Sequence, residues 1–301
     1  MKSKQELLFK TRKYLWYPDT IVKLASWFGL KPGMRIADIG CGIGYLGYTY
    51  WPFYRRHGRY IGIDIDYKSL KAGEKMAAKW GGNRIPHFIQ GDAYHLPLKS
   101  NSVDCAMAQT LYIHLNEPKQ ALREIFRIVR PGGLVVIIEP DTLSRKSVSS
   151  LPDLDLKTKL LLEKYRILRY KGREKLGLGD YSIGSKMPHM MKEAGLKDID
   201  VRINDRVSFI EPPYESLEQR YFLEMLTGII YENDQKQIRD EGSVRKQFIA
   251  GGGKANEYDQ VVKIGRQRKS ILKRQLSKNK LFYLSTSFIY IVKDRKPKLK
   301  K

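Results

Sequence analysis

The sequence predicts an α/β fold built on a predominantly parallel sheet, on three observations. Short apolar runs alternate with stretches of helical periodicity from residue 31 to residue 138. The first run exits into three alternating glycines, Gly40, Gly42 and Gly44, which suit a tight loop that a ligand approaches closely. Aspartates recur near the carboxyl ends of three runs, at Asp38, Asp64 and Asp92, and so converge on one crevice if the strands are parallel.

Residues 5 to 28 read as an amphipathic helical preface, interrupted at Trp16-Tyr17-Pro18-Asp19. Lys31-Pro32-Gly33 turns the chain into a first strand, Met34 to Ile39. A second strand is expected at Tyr60 to Asp64, then a helix from Lys68 to Lys79. Pro86 to Gln90 and Val103 to Gln109 supply the third and fourth strands, the latter apolar enough to be covered on both faces. Ala121, Leu122, Ile125, Phe126 and Val129 give Pro118 to Val129 helical spacing, and Pro131-Gly132-Gly133 stops it before a fifth strand, Leu134 to Ile138. Beyond Pro140 the alternation breaks. Helices at Lys157 to Tyr170 and Lys186 to Glu193 precede a strand running from Ile199 toward Ile210, and Leu217 to Ile230 forms a covering helix. Residues 231 to 257 are expected to include a mobile loop, before a basic helix at Tyr258 to Gln275 and a late strand at Leu281 to Val292. No second core and no internal repeat stands out. The domain reading is therefore a helical cap over residues 1–30 and a main domain over residues 31–301, with cap insertions near 141–182 and 209–278.

At 301 residues and 42% hydrophobic content the chain can fill a well-buried core, which sets aside disorder and fibre. Its two cysteines, Cys41 and Cys105, supply neither a disulfide framework nor a four-thiolate zinc site, and the five histidines are dispersed, so no metal is expected. No apolar stretch reaches the length of a membrane span and no signal-peptide pattern is present, which points to the cytoplasm. Against 32 acidic residues stand 56 Lys plus Arg, a net charge of +24. The last 61 positions carry 17 basic and 4 acidic residues, which makes this region the first place to look for electrostatic binding of RNA or an anionic surface.

The loop Asp38-Ile39-Gly40-Cys41-Gly42-Ile43-Gly44 lacks the lysine and hydroxyl residue of a triphosphate-binding loop. It also departs from the Gly-x-Gly-x-x-Gly spacing, because Gly44 follows Gly42 by two residues. Another adenosine-containing cofactor therefore moves ahead of nicotinamide dinucleotides. At these residues the chain resembles the class I S-adenosylmethionine-dependent methyltransferases, in the type 11 branch related to ubiquinone methyltransferases. Gly62-Ile63-Asp64, Gln90-Gly91-Asp92-Ala93 with Leu96-Pro97-Leu98, Asn101 to Leu115, and Arg130-Pro131-Gly132-Gly133 extend the likeness. It is strong over about residues 30 to 140 and recurs weakly at 186–200 and 281–293.

The resemblance implies a Rossmann-like fold, with a predominantly parallel seven-stranded sheet, a final antiparallel strand and helical caps. It also implies S-adenosyl-L-methionine as cofactor, held by Asp38, Gly40, Cys41, Gly42, Gly44, Asp64, Ile65, Asp92, Ala93 and Gln109. Asp64 suits the ribose hydroxyls, because a carboxylate offers acceptors and no competing donor. Asp92 suits the adenine amine. Taken singly, each aspartate reads better as a cap or solvent-facing turn residue; it is the three together that point to a shared crevice. On the acceptor side, His114 after the fourth strand and Glu139 after the fifth are the catalytic candidates, with a structural role for His114 and a buried cap for Glu139 as the competing readings. Tyr17, His114 and Tyr214 are candidate substrate contacts, while Trp16 reads as core. The leading function is methyl transfer to a small molecule. RNA methylation is the alternative, and a noncatalytic S-adenosylmethionine-binding regulator a third reading; the oligomeric state is open.

Overall fold

Apolar residues at consecutive positions of the central strands are buried to both sides, so these strands need cover on two faces. In the fifth strand Leu134, Val136 and Ile138 join one core and Val135 and Ile137 the other. Helical residues including Ala121, Leu122 and Ile125 complete the layer of Val135 and Ile137, and aromatics including Phe28, Tyr50, Trp51 and Tyr54 complete the layer of Leu134, Val136 and Ile138.

The computed structural model describes residues 12, 16–81, 85–231 and 234–298. The chain divides into two units, one of residues 1–141, 183–206 and 289–301, the other of residues 142–182 and 207–288. In the first, α1 (Pro18–Phe28) leads into β1 (Arg35–Ile39), α2 (Tyr45–Tyr54), β2 (Arg59–Asp64), α3 (Tyr67–Ala77), β3 (His87–Gln90) and β4 (Val103–Gln109). A 3-10 turn at Tyr112–His114 and α4 (Pro118–Ile128) precede β5 (Val129–Ser149). After a segment of the second unit come α6 (Met187–Glu193), β6 (Asp200–Ile203) and the end of β8 (Tyr283–Arg295). The strand order is β3-β2-β1-β4-β5-β8-β6. Pairing is parallel from β3 through β5, and β8 runs antiparallel to β6. This is the mostly parallel Rossmann-like sheet with one antiparallel strand.

The second unit contains α5 (Leu156–Lys175), β7 (Val207–Ile210), α7 (Leu217–Tyr231), α8 (Asp234–Ala250) and α9 (Ala255–Ser277). Here β7 pairs antiparallel with residues 283–286 of β8. α5 and α8 approach backbone to backbone: a Cβ on Gly172 would run into the Gln247 carbonyl, and one on Gly251 into the Leu168 carbonyl.

Four expectations change. The segment 231–257 is helical over Asp234–Ala250 rather than a mobile loop, because Phe248 anchors it in full burial. Its glycine run forms the helix exit, with Gly252 at φ 102°. The single strand expected from Ile199 toward Ile210 is two, β6 and β7, interrupted where Asn204 exchanges hydrogen bonds with Ile289. β5 extends to Ser149, well past the apolar run that signalled it. α2 gave no helical signal, since its aromatic, Pro52-containing sequence has no polar stripe. Of the expected N-terminal helix, residues 1–11 and 13–15 lie outside the described residues.

The glycine contacts predict opposite outcomes for one chemical change. Gly172→Ala should lower the unfolding free energy by about 1 to 3 kcal/mol through overpacking. Gly265→Ala on α9, where a Cβ meets nothing within 4 Å, should be neutral or stabilise by up to about 1 kcal/mol. Urea unfolding of the two variants side by side checks this, and equal effects would contradict the close approach of α5 and α8.

Candidate active site

The strand order reverses direction between β1 and β4, and at such a switch point the loops leaving neighbouring parallel strands part to open a crevice. Register decides which residues meet there. Ile39 pairs with both Ile63 and Ala108, so Gly40 stands level with Asp64 on one side and Gln109 on the other. Gln109 pairs with Ile138, which brings Thr110 level with Glu139.

The glycine loop is built by backbone constraints. Gly40, Gly42 and Gly44 all have positive φ, at 67°, 53° and 79°. The N–H groups of Gly40 and Cys41 both donate to the Ile63 carbonyl, at 2.8 and 3.0 Å. A Cβ on Gly40 would come within 2.8 Å of Leu111, and one on Gly44 within 3.0 Å of Phe88. Gly42 differs, because a Cβ there meets no atom within 4 Å. Its open side is where a ligand can approach the loop. The Cys41 side chain is buried, with Sγ donating to the Gly42 carbonyl at 3.5 Å.

Asp64 accepts the Gly42 N–H on Oδ2 at 2.7 Å and the Asp66 N–H on Oδ1 at 2.9 Å. Each carboxylate oxygen thus spends one acceptor site on the loop and its own turn, and keeps another. The neighbouring Ile65 is 70% exposed. Asp92 closes its own turn by accepting the Tyr94 N–H at 2.9 Å, beside buried Ala93. Asp38 is buried and accepts from the Tyr60 hydroxyl at 2.8 Å; burial pushes its carboxyl up to about 7. It ties β1 to β2 and, through the Gly47 N–H, to α2. Gln109 is 2% exposed, and neither Oε1 nor Nε2 has a hydrogen-bond partner among the described residues.

Arg12 was invisible to sequence reasoning, being one cation in a basic N-terminal run. Its Nη2 donates to Thr110 Oγ1 at 2.8 Å. Burial lowers its guanidinium from the ordinary value, while Asp38, Tyr45, Glu139 and Asp64 all act to raise it. One cation is therefore set among the carboxylates of three strand ends. Thr110 has φ 53°, a left-handed conformation costly for a β-branched residue, and its hydroxyl also donates to the Gln109 carbonyl.

The acceptor-side candidates separate. Glu139 is 0% exposed. It accepts the N–H groups of Leu111 and Tyr112 on Oε1, at 2.7 and 2.8 Å, and that of Ile113 on Oε2 at 3.4 Å. That geometry caps the 3-10 turn. His114 is exposed at the end of the same turn. Tyr17 is the N-cap residue of α1, and its ring lies under the Arg206 guanidinium at 4.0 Å. Trp16 is in the core. Tyr214 belongs to the second unit, where its hydroxyl donates to the Leu281 carbonyl and accepts the Leu281 N–H. Among the described residues no group of three or more His, Cys, Asp or Glu is placed to hold a metal ion, and no helix is long and apolar enough to cross a membrane.

Burial pushes Glu139 up to about 8, against the opposing pull of its three N–H donors and Arg12. With the folded value above the ordinary 4.5, its contribution to stability is complete below that value and is lost as pH rises through about 8. Asp38 acts in the same direction through about 7. Glu139→Gln keeps an acceptor for Leu111 and Tyr112 and cannot ionise, so it should flatten the fall in unfolding free energy between about pH 5 and pH 8. Glu139→Ala should cost about 1 to 3 kcal/mol at the acid end by leaving the N–H groups unpaired. Denaturant titrations across that range check both, and an unchanged pH slope in Glu139→Gln would contradict the shift.

Comparison with known proteins agrees with this geometry. A family model described as a methyltransferase domain matches residues 37–137. The ubiquinone/menaquinone biosynthesis C-methyltransferase UbiE of Ruegeria sp. is 28% identical over 133 residues, 44% of this chain and 52% of that protein. A sterol 24-C-methyltransferase of Gibberella zeae is 33% identical over 116 residues, 38% of this chain and 30% of that protein. The chain thus spans about half or less of the length of these curated relatives. The solved structure of BH2331 from Bacillus halodurans C-125 has the same fold, with a TM-score of 0.52 at 16% identity, over 92% of this chain and 98% of that one. Residues 37–137, where the glycine loop and the strand-end aspartates lie, are thus similar to the methyltransferase domain of these proteins.

Proposed function

We propose that this protein transfers a methyl group from S-adenosylmethionine to a small-molecule acceptor, in the cytoplasm. The observation that carries the reading is the row of groups at the switch point: the open side of Gly42, the spare acceptors of Asp64, and the unpartnered amide of Gln109. These features fit a ligand bearing both donors and acceptors. Bound S-adenosylmethionine supplies an electrophilic methyl group on a sulfonium.

The chain's own residues do the rest by holding and positioning. The Gly40 to Gly44 loop offers backbone groups to the methionine portion, and Arg12 offers its cation to the carboxylate there. Asp64 receives the ribose hydroxyls beside the exposed Ile65. Asp92 and Ala93 border the adenine. Asp38, locked by Tyr60, orients the loop rather than meeting the ligand. Glu139 positions residues 111 to 113 and is a positioning residue. His114, at the exposed end of that turn, is the acceptor-side candidate for orienting a substrate or taking its proton, with Tyr17 beside the entrance.

RNA methylation is the second reading, supported by the exposed Lys263, Arg266, Lys273 and Arg274 of α9. Incubation with a labelled methyl donor separates the two: label in small metabolites supports the proposal, and RNase-sensitive label overturns the choice of acceptor. Binding without any transfer would leave a regulator.

Calorimetry should find about one S-adenosylmethionine or S-adenosylhomocysteine per chain, and no binding by the folded protein would reject the proposal. Asp64→Ala should weaken that binding by about 1 to 3 kcal/mol. Wild-type affinity in the folded variant would remove Asp64 from the ribose site.

A further inference from the structure

Helix α5 of the second unit is apolar on two sides. One side faces α8: the Tyr165 ring lies 5.4 Å from that of Phe248, the Leu168 carbonyl stands against Gly251, and Gly172 stands against the Gln247 carbonyl. That face accounts for the packing of the helix. Leu156, Leu160 and Ile167 stand roughly 130° around the helix from it, spaced i, i+4 and i+11 along one line. They are 71%, 61% and 51% exposed. A single exposed leucine needs no explanation, but three large aliphatic residues in line on the outward face of a helix do.

Positive charge flanks this ridge. Helix α5 carries eight Lys and Arg against two Glu. Lys157, Lys164, Lys171 and Lys175 recur at i, i+7, i+14 and i+18, which sets them in a row beside the ridge. Lys157, Lys171 and Lys175 are exposed, and Lys164 pairs with Glu257. Both glutamates fall on the line of the ridge: Glu163 is paired with Arg166, and Glu174 lies beyond Ile167 near the end of the helix. Ahead of the helix, Asp153 pairs with Lys159 and Asp155 caps the first turn through the Thr158 N–H. The occupant of this face has to suit both its aliphatic line and its cations. A second copy of the chain would bring the same cations, and a net charge of +24, against themselves. Nucleic acid would meet the lysines but set the aliphatic line against phosphate. An anionic bilayer suits both, because aliphatic side chains enter the boundary of the acyl chains while lysines stay among the head groups.

We propose that the outward face of α5 docks the protein reversibly on an anionic lipid bilayer. Leu156, Leu160 and Ile167 seat between the head groups, and Lys157, Lys171 and Lys175 lie against them. The helix lies along the surface: its 20 residues could reach across a bilayer, but it is not apolar enough to cross. This contact goes beyond methyl transfer and does not depend on it.

The test is co-sedimentation of the full chain with vesicles of phosphatidylcholine alone, or of phosphatidylcholine and phosphatidylglycerol in equal parts. The mixed vesicles should bind the protein, and the neutral ones should bind it more weakly by about tenfold or more. Net charge alone would also draw this chain to the mixed vesicles, so the decisive variant keeps every charge. Leu156→Ser combined with Leu160→Ser and Ile167→Ser should weaken binding to mixed vesicles by about tenfold or more. In Leu160→Trp, the emission added to that of the wild type should shift to the blue with mixed vesicles, which reports entry into an apolar boundary. Lys157→Gln with Lys171→Gln and Lys175→Gln should also weaken binding and lessen its dependence on salt. Circular dichroism checks that the variants fold. S-adenosylmethionine binding, which reports on residues 37–137, should be unchanged in all of them, so failure here is distinguishable from failure of the methyltransferase reading. Wild-type vesicle binding by the folded serine variant, or no shift in Leu160→Trp, would overturn the lipid contact. Light scattering that finds a dimer in the wild type, lost in the serine variant, would assign the ridge to a second copy and overturn it equally.

Discussion

The in-register parallel pairing of β1 with β2 on one side and β4 on the other is the constraint on which the site depends. A slip of one residue would invert every side chain between the two buried faces, and both faces are filled, so the register has no alternative of similar energy. With it set, Gly40, Asp64 and Gln109 reach the same edge. The loop then follows, because the Ile63 carbonyl accepts two consecutive N–H groups and the Asp64 carboxylate a third. The left-handed glycines are what that bonding pattern requires of the backbone.

Charge at this edge is balanced across the fold rather than along the chain. Asp38 and Glu139 are both buried and both pushed up in pKa, yet each is bonded to structural partners: Tyr60 and Gly47 for one, the 3-10 turn for the other. Arg12 brings a cation to them from nearly a hundred residues before Thr110. Two carboxyls of similar chemistry to Asp64 are thereby committed to holding the frame. Asp64, half-buried with spare acceptor sites, remains for a ligand.

The second unit solves a different problem. Its helices α5 and α8 pack through glycines that let backbones touch.

The core strands, the helix at α4 and the glycine loop were legible in the sequence because their signals are local: apolar runs, a 3.6-residue stripe, and glycines at alternating positions. The strand-end positions of Asp38, Asp64 and Asp92 were legible as a set, since strand alternation alone implies which ends they occupy. The helix α8 and the aromatic α2 were not, because neither carries the polar and apolar faces that a window detects. Nor could composition separate Asp38, Asp64 and Glu139, which differ only in burial and partners. The contact of Arg12 with Thr110, 98 residues away, exists only in three dimensions. Local sequence determined the elements and the chemistry available at their ends; long-range packing decided which of those groups are spent on the fold and which stay open to a ligand, because desolvation and hydrogen-bond partners are properties of the assembled structure.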